Sequence, residues 1–203
     1  MEPMVNIALR AARKAGENIV RASDDLERFE VIAKGINNFV SEVDINAEKE
    51  IIYHLQKAYP EHAILGEETG LTGSEDADYR WIIDPLDGTT NFLRGIPHYA
   101  VSIACLFKGK LEHAVVVDPV RHEEFTASRG RGAQLNGRRI RVGQRPGLEG
   151  ALLGTGIPFK DHCDKQLGAY SKTIEILAAE TAGIRRAGAA SLDLAYVAAG
   201  RLD

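Results

Sequence analysis

Apolar and polar positions divide this chain into two regimes. Near its start Ile7, Ala8, Ala11, Ala12, Ala15 and Ile19 recur at steps of three and four, which predicts an amphipathic helix. A second helix is expected from about Asp44 to Tyr59, with Ile51, Ile52, Leu55 and Ala58 on its apolar face and Pro60 past its end. "HAILGEE" and "YRWIIDP" read as short buried strands, each running into acid. "YAVSIACLFKGKLEHAVVVDPV" predicts two long strands joined at Lys108-Gly109-Lys110. "EEFTASRGRGAQLNGRRIRV" extends the meander, and Asn136-Gly137 suits a type I′ hairpin turn. The stretch from Gly143 to Gly150, rich in Gly and Pro, then reads as a linker. Beyond it the order alternates: strand "ALLGT", a helix around Lys165 to Glu180, strand "GIRRAG" and helix "AASLDLAYVAAG". An α+β unit over 1–145 is therefore expected to precede an α/β unit over 146–203.

Composition narrows the class without naming a function. A length of 203 residues allows one large domain or two small ones sharing an interface. Hydrophobic residues at 44% and charged residues at 27% are an ordinary globular composition. A formal charge of −4 supplies no general attraction to a polyanion. Cys105 and Cys163 stand far apart with no CxxC spacing, which suits a reduced, cytoplasmic protein. The N-terminus carries charge every few positions, unlike a signal peptide, and no apolar run reaches bilayer length.

The chemistry gathers at element ends. Asp44 opens a helix, Glu67 and Glu68 close one strand, and Asp84 and Asp87 close the next. Two carboxylates 4 Å apart repel by roughly 4 kcal/mol at an effective dielectric near 20, so convergence of four or five demands protons or cations. An all-oxygen set without His or Cys selects Mg²⁺, Mn²⁺ or Ca²⁺ over zinc. Pro85 gives the strand exit a rigid bend, and Gly88 permits close backbone approach. Thr89 and Thr90 open a helix whose free N–H groups suit an anion. Acids that bind metal beside an anion cradle are the parts of metal-assisted phosphoryl transfer to water. Taken singly each motif has a plainer reading. Asp44 alone reads as a helix cap, with Ser41-x-x-Asp44 resembling a capping box. Glu67-Glu68 alone is a solvated turn, and Asp84 to Thr89 alone an ordinary turn with a cap.

"GEET" followed by "WIIDPLDGTTNF" resembles the signature stretches of the inositol monophosphatase family, Mg²⁺-dependent and lithium-sensitive phosphatases. "NNFVSEVD", "TASRGRGAQLNG" and "RRAGAASLDLAYVAAGRLD" extend the likeness to the bacterial branch along nearly the whole chain. The resemblance implies a layered α+β sandwich of the sugar-phosphatase type, with the active site between two domains. It also implies that Glu67, Asp84 and the Leu86 carbonyl hold one metal, Asp84 and Asp87 a second, and Glu67 a weaker third. Gly88 and Thr89 would offer N–H groups to phosphate, with Thr90 beside them. Asp44 and Thr89 would orient the attacking water, and Glu68 would support the site. Gly188, Ala189 and Ala190 would line the alcohol pocket, and Asp87 would also reach a substrate hydroxyl. Mg²⁺ is the implied ion, Mn²⁺ a possible substitute and Li⁺ an inhibitor; a homodimer is implied as well.

In this family the chain continues past Asp203, into a Glu that binds inositol hydroxyls and a Trp-Asp motif that completes the second metal site. The second domain is thus expected to be incomplete here, and residues 1–203 by themselves to be a poor catalyst prone to association. Myo-inositol 1-phosphate is the implied substrate, with other small phosphate esters as alternatives within the same chemistry. A regulatory protein that binds RNA or the transcription machinery is the competing class. Its support in the sequence is Arg121, Arg129, Arg131, Arg138, Arg139, Arg141 and Arg145. Hairpin arginines are more often merely solvated.

Overall fold

The periodic alanines of the N-terminus form α1 (Pro3–Ser23), with Pro3 in the first turn where its missing N–H costs no helical bond. Ala8, Ala11, Ala12 and Ala15 are buried, and such small side chains let α1 lie close to α2 (Glu42–Ala58). A computed structural model describes residues 2–24, 31–33, 39–157 and 160–203 of the chain. Between the two helices β1 (Val31–Ala33) and β2 (Phe39–Ser41) pair antiparallel. Three-residue strands carry too little alternation for the sequence pattern to reveal them.

Eight strands form the main sheet. They are β3 (Ala63–Gly66), β4 (Gly70–Thr72), β5 (Tyr79–Asp87), β6 (Ala100–Phe107), β7 (Lys110–Asp118), β8 (Glu123–Ser128), β9 (Gly132–Leu135) and β10 (Arg138–Arg139), in the order β10-β9-β8-β7-β6-β5-β3-β4. Strands β5 to β10 make an antiparallel meander, whereas β3 and β5 run parallel. Asn136 and Gly137 both have positive φ, as a type I′ turn requires. Lys108 and Gly109 do the same at the β6–β7 turn. Lys110 already belongs to β7, so that turn is one residue shorter than the apolar pattern suggested.

The sheet is covered on both sides. Trp81, Ile83, Val101, Ile103, Val115 and Val117 face the core shared with α1 and α2. Ala100, Phe125 and Val116 face the other way, toward Leu192 and Ala195 of α5 (Ala190–Ala198). Residues 140–151 contain no helix or strand. Beyond them β11 (Leu152–Gly154) pairs parallel with β12 (Gly183–Arg185), and α4 (Lys160–Glu180) connects the two. Helix α4 begins five residues before the expected Lys165. The result is the α+β layered sandwich that the sequence implied. Among the described residues no helix is long and apolar enough to cross a membrane.

Leu55 lies on the core side of α2 and is fully buried. Leu55→Ala is expected to lower the free energy of unfolding by about 2–5 kcal/mol in a denaturant titration. A loss below ~1 kcal/mol would show that α2 does not pack on the sheet as described.

Candidate active site

Parallel pairing brings the first two acids together. Gly66 of β3 is paired with Ile83 of β5, so Glu67, just past β3, comes beside Asp84 of β5. The Glu67 amide donates to the Ile83 carbonyl at 3.2 Å, and the Glu67 carboxylate helps raise the Asp84 pKa. In a regular strand Asp84 and Asp87 would point to opposite faces, because side chains alternate. The pairing of β5 with β6 slips between them: Asp84 faces Ser102 and Asp87 faces Ala100, so β5 holds one extra residue. Pro85, with no N–H to give the ladder, lies in that bulge. The Leu86 amide turns back to Asp84 Oδ1 at 3.2 Å.

Helix α2 delivers the next acid. Asp44 sits in its first turn, 2% exposed, with Oδ2 3.3 Å from the Thr89 hydroxyl. That hydroxyl lies closer, at 2.9 Å, to the Leu86 carbonyl. Its single proton serves one acceptor at a time, so Thr89 is a switchable donor between the two. One turn further on, Glu48 is fully buried and accepts the amides of Glu68 and Thr69, each at 2.9 Å. A Cβ on Gly66 would come within 2.5 Å of the Glu48 carboxyl, so only glycine admits this brace.

Gly88 precedes α3 (Thr89–Leu93) with φ 97°, and a Cβ there would lie 3.0 Å from the His98 carbonyl oxygen. The glycine is thus required by chain direction and packing as well as by any ligand. Five residues make a short helix, so its contribution is the free N–H groups of the first turn at Thr89 and Thr90 more than a macrodipole. The distant segment Gly188, Ala189 and Ala190 joins this group. The Asn91 amide donates to the Ala187 carbonyl at 2.9 Å, and Ser191 donates to Asp87 Oδ2 from both its amide and its hydroxyl. These bonds tie residues 187–191 to Asp87 and Asn91, next to Thr89 and Asp44.

Crowding changes how these acids ionise. Burial, then Glu67 and Glu68, push Asp44 up to about 7 against the opposing Thr89 bond. Burial, then Glu67, Asp87 and Asp44, push Asp84 up to about 8. Among the described residues no three acids, histidines or cysteines already surround one point as a finished ligand sphere. The donor set nevertheless fits a hard divalent cation: it is all oxygen, it is crowded, and it holds protons that a cation would displace.

The sequence model of the inositol monophosphatase family matches residues 1–203. The chain belongs to the inositol monophosphatase family. It is 64% identical over 205 residues to the Nus factor SuhB of Pseudomonas aeruginosa, covering 100% of this chain and 76% of that one. The extragenic suppressor protein suhB from Bartonella henselae superposes with a TM-score of 0.95 at 45% identity, covering 100% of this chain and 77% of that one. An inositol monophosphatase from Anabaena superposes with a TM-score of 0.83 at 35% identity, over 98% of this chain and 72% of that one.

Sequence reasoning overlooked Glu48, Asn91 and Ser191. Glu48 left a signal: a charged residue inside the buried stripe of Val43, Ala47, Ile51 and Leu55. Asn91 and Ser191 left none, because their partners are 96 and 104 residues away. The arginine meander proves largely neutralised. Arg121, Arg129, Arg131 and Arg145 pair with Asp118, Glu112, Glu2 and Asp203.

Carboxyls that stay protonated to about 7 and 8 in the fold, but release near 4 when unfolded, make the folded state the better proton binder across that interval. Its stability therefore falls as pH rises through the interval. Burial lowers His62 and His98, an opposite influence that ends near pH 6.5. In EDTA the melting temperature is expected to fall from about pH 6.5 to 8, and Mg²⁺ to reverse more of the loss at the higher pH. A melting temperature that holds or rises over this range without metal contradicts the crowding.

Proposed function

We propose that this protein is a Mg²⁺-dependent phosphomonoesterase that hydrolyses inositol monophosphates, foremost myo-inositol 1-phosphate, to inositol and phosphate. One observation carries the reading: Glu67 lies beside Asp84, a bulge in β5 separates Asp84 from Asp87, and Asp44 meets Thr89 at the first turn of α3. Glu67, Asp84, Asp87 and the Leu86 carbonyl are the groups that would hold two or three ions. Mg²⁺ bound there supplies a water acidified toward neutrality and positive charge against the phosphate.

The chain's own residues account for the rest. Amides of Gly88 and Thr89 bind and orient phosphate oxygens, with Thr90 at the rim. Asp44 takes the proton of the attacking water by way of the Thr89 hydroxyl, which lies 3.3 Å from its Oδ2. Glu68, tied through its amide to Glu48, keeps the loop of Glu67 in place. Asp87 and the segment Gly188, Ala189 and Ala190 receive the alcohol, so the substrate cleft lies between the 1–145 unit and the 146–203 unit. Water attacks phosphorus in line, and no Ser or Cys serves as a nucleophile. The reading includes inhibition by Li⁺, tolerance of Mn²⁺, a homodimer and a cytoplasmic location.

A second reading is favoured by the name of the relatives: Nus factor SuhB is the 64% match. It makes this chain a partner of RNA or of the transcription machinery, alone or beside catalysis. Ion pairing of four arginines leaves Arg138, Arg139 and Arg141 as the candidate contacts, the first two on the edge strand β10.

Asp84→Asn keeps side-chain size while removing a charge from the ion site. In a chain extended through the family's C-terminal segment, Mg²⁺-dependent phosphate release from myo-inositol 1-phosphate is expected to drop roughly hundredfold or more, with the fold retained by circular dichroism. Turnover within about twofold of the unmodified protein at saturating Mg²⁺ would refute the assignment. RNA binding at low salt with no phosphate release from any ester would favour the second reading instead.

A further inference from the structure

Asp87 is held from the far side of the molecule. Its Oδ2 accepts the Ser191 amide at 2.6 Å and the Ser191 hydroxyl at 2.5 Å, across 104 residues of sequence. Ser191 is the second residue of α5, and Ala189 at the cap position offers that helix no side-chain cap. The Asp87 carboxylate takes over this duty from another element, where a negative charge at a helix start is favoured. Two donors on one oxygen stop the carboxylate from rotating. They leave Oδ1, which carries no hydrogen bond among the described residues, as the oxygen free for other chemistry.

The surroundings make this clamp rigid. Asn91 is buried and bridges the Ala187 and His98 carbonyls at 2.9 and 2.8 Å. Gly188 adopts φ 90° beside it, and a Cβ there would meet the Asn91 amide at 3.1 Å. Residues 187–191 are thus fastened at one end by Asn91 and at the other by Asp87.

We propose that Ser191 is a positioning residue for Asp87: its hydroxyl and amide fix Oδ2 toward α5, so that Asp87 presents Oδ1 alone to a divalent cation. This rests on the phosphatase reading, because it assigns Asp87 to the ion site. Hydrogen-bond partners of ligating groups commonly set affinity by orienting them, and their loss costs 10–100-fold. The serine hydroxyl is one of two such partners here, so its removal belongs at the low end of that range.

The test compares the unmodified chain, Ser191→Ala and Ser191→Thr by calorimetric Mg²⁺ titration, alongside the Mg²⁺ dependence of phosphate release. Ser191→Ala is expected to weaken Mg²⁺ binding by about tenfold and to raise the Mg²⁺ requirement in parallel, with KM for the ester moving less. Ser191→Thr keeps a hydroxyl at the same place and is expected to restore binding. A Ser191→Ala protein that melts lower in EDTA but binds Mg²⁺ as the unmodified chain does would show a helix cap and nothing more, overturning the proposal. Failure of Ser191→Thr to restore binding would overturn it too. If the unmodified chain itself binds no Mg²⁺, the phosphatase reading falls and takes this inference with it. If it binds and Ser191→Ala is indifferent, only this inference falls.

Discussion

Everything at the site depends on the contact between Glu67 and Asp84. Parallel pairing of β3 with β5 sets these two acids side by side, and the charge of Glu67 helps raise the Asp84 pKa. At 4 Å the repulsion is roughly 4 kcal/mol at an effective dielectric near 20, large against the margin of any fold. Protons relieve it at low pH, and a divalent cation relieves it at any pH where the carboxylates ionise. The parallel register of β3 and β5 sets these two charges together by way of the backbone.

The neighbouring elements keep the conflict from relaxing. Glu48 accepts two amides of the turn after β3 and so holds Glu67 and Glu68 at the strand end. Gly66 leaves the space that the Glu48 carboxyl occupies. The bulge at Pro85 brings Asp87 back toward Asp84, and Ser191 secures it from α5. Buried Asp44 closes the group through Thr89. The acids come from three separate elements: α2, the end of β3, and β5.

Much of this was legible along the chain. The alanine period announced α1, the alternation and Gly turns announced β5 to β9, and the placing of acids at element ends announced a charged locality. What the pattern concealed had physical causes. Strands of three residues, such as β1, β2 and β4, show no alternation. The parallel pairing of β3 with β5 is a matter of topology, and no local motif spells it. Glu48 was visible as a charge in an apolar stripe, yet its role needed the amides it meets. Ser191 and Asn91 act over about a hundred residues of separation, where spacing carries no information. The arginines were visible, but not the carboxylates that occupy four of them.

The claim that this carboxylate group is a cation site is tested most directly by a crystal of the protein grown with Mn²⁺ and read by anomalous scattering. The account predicts a peak in contact with oxygens of both Glu67 and Asp84, with Asp87 or the Leu86 carbonyl completing the approach, at about 2.0–2.2 Å. Crystals holding Mn²⁺ elsewhere, with no peak between Glu67 and Asp84, would contradict it.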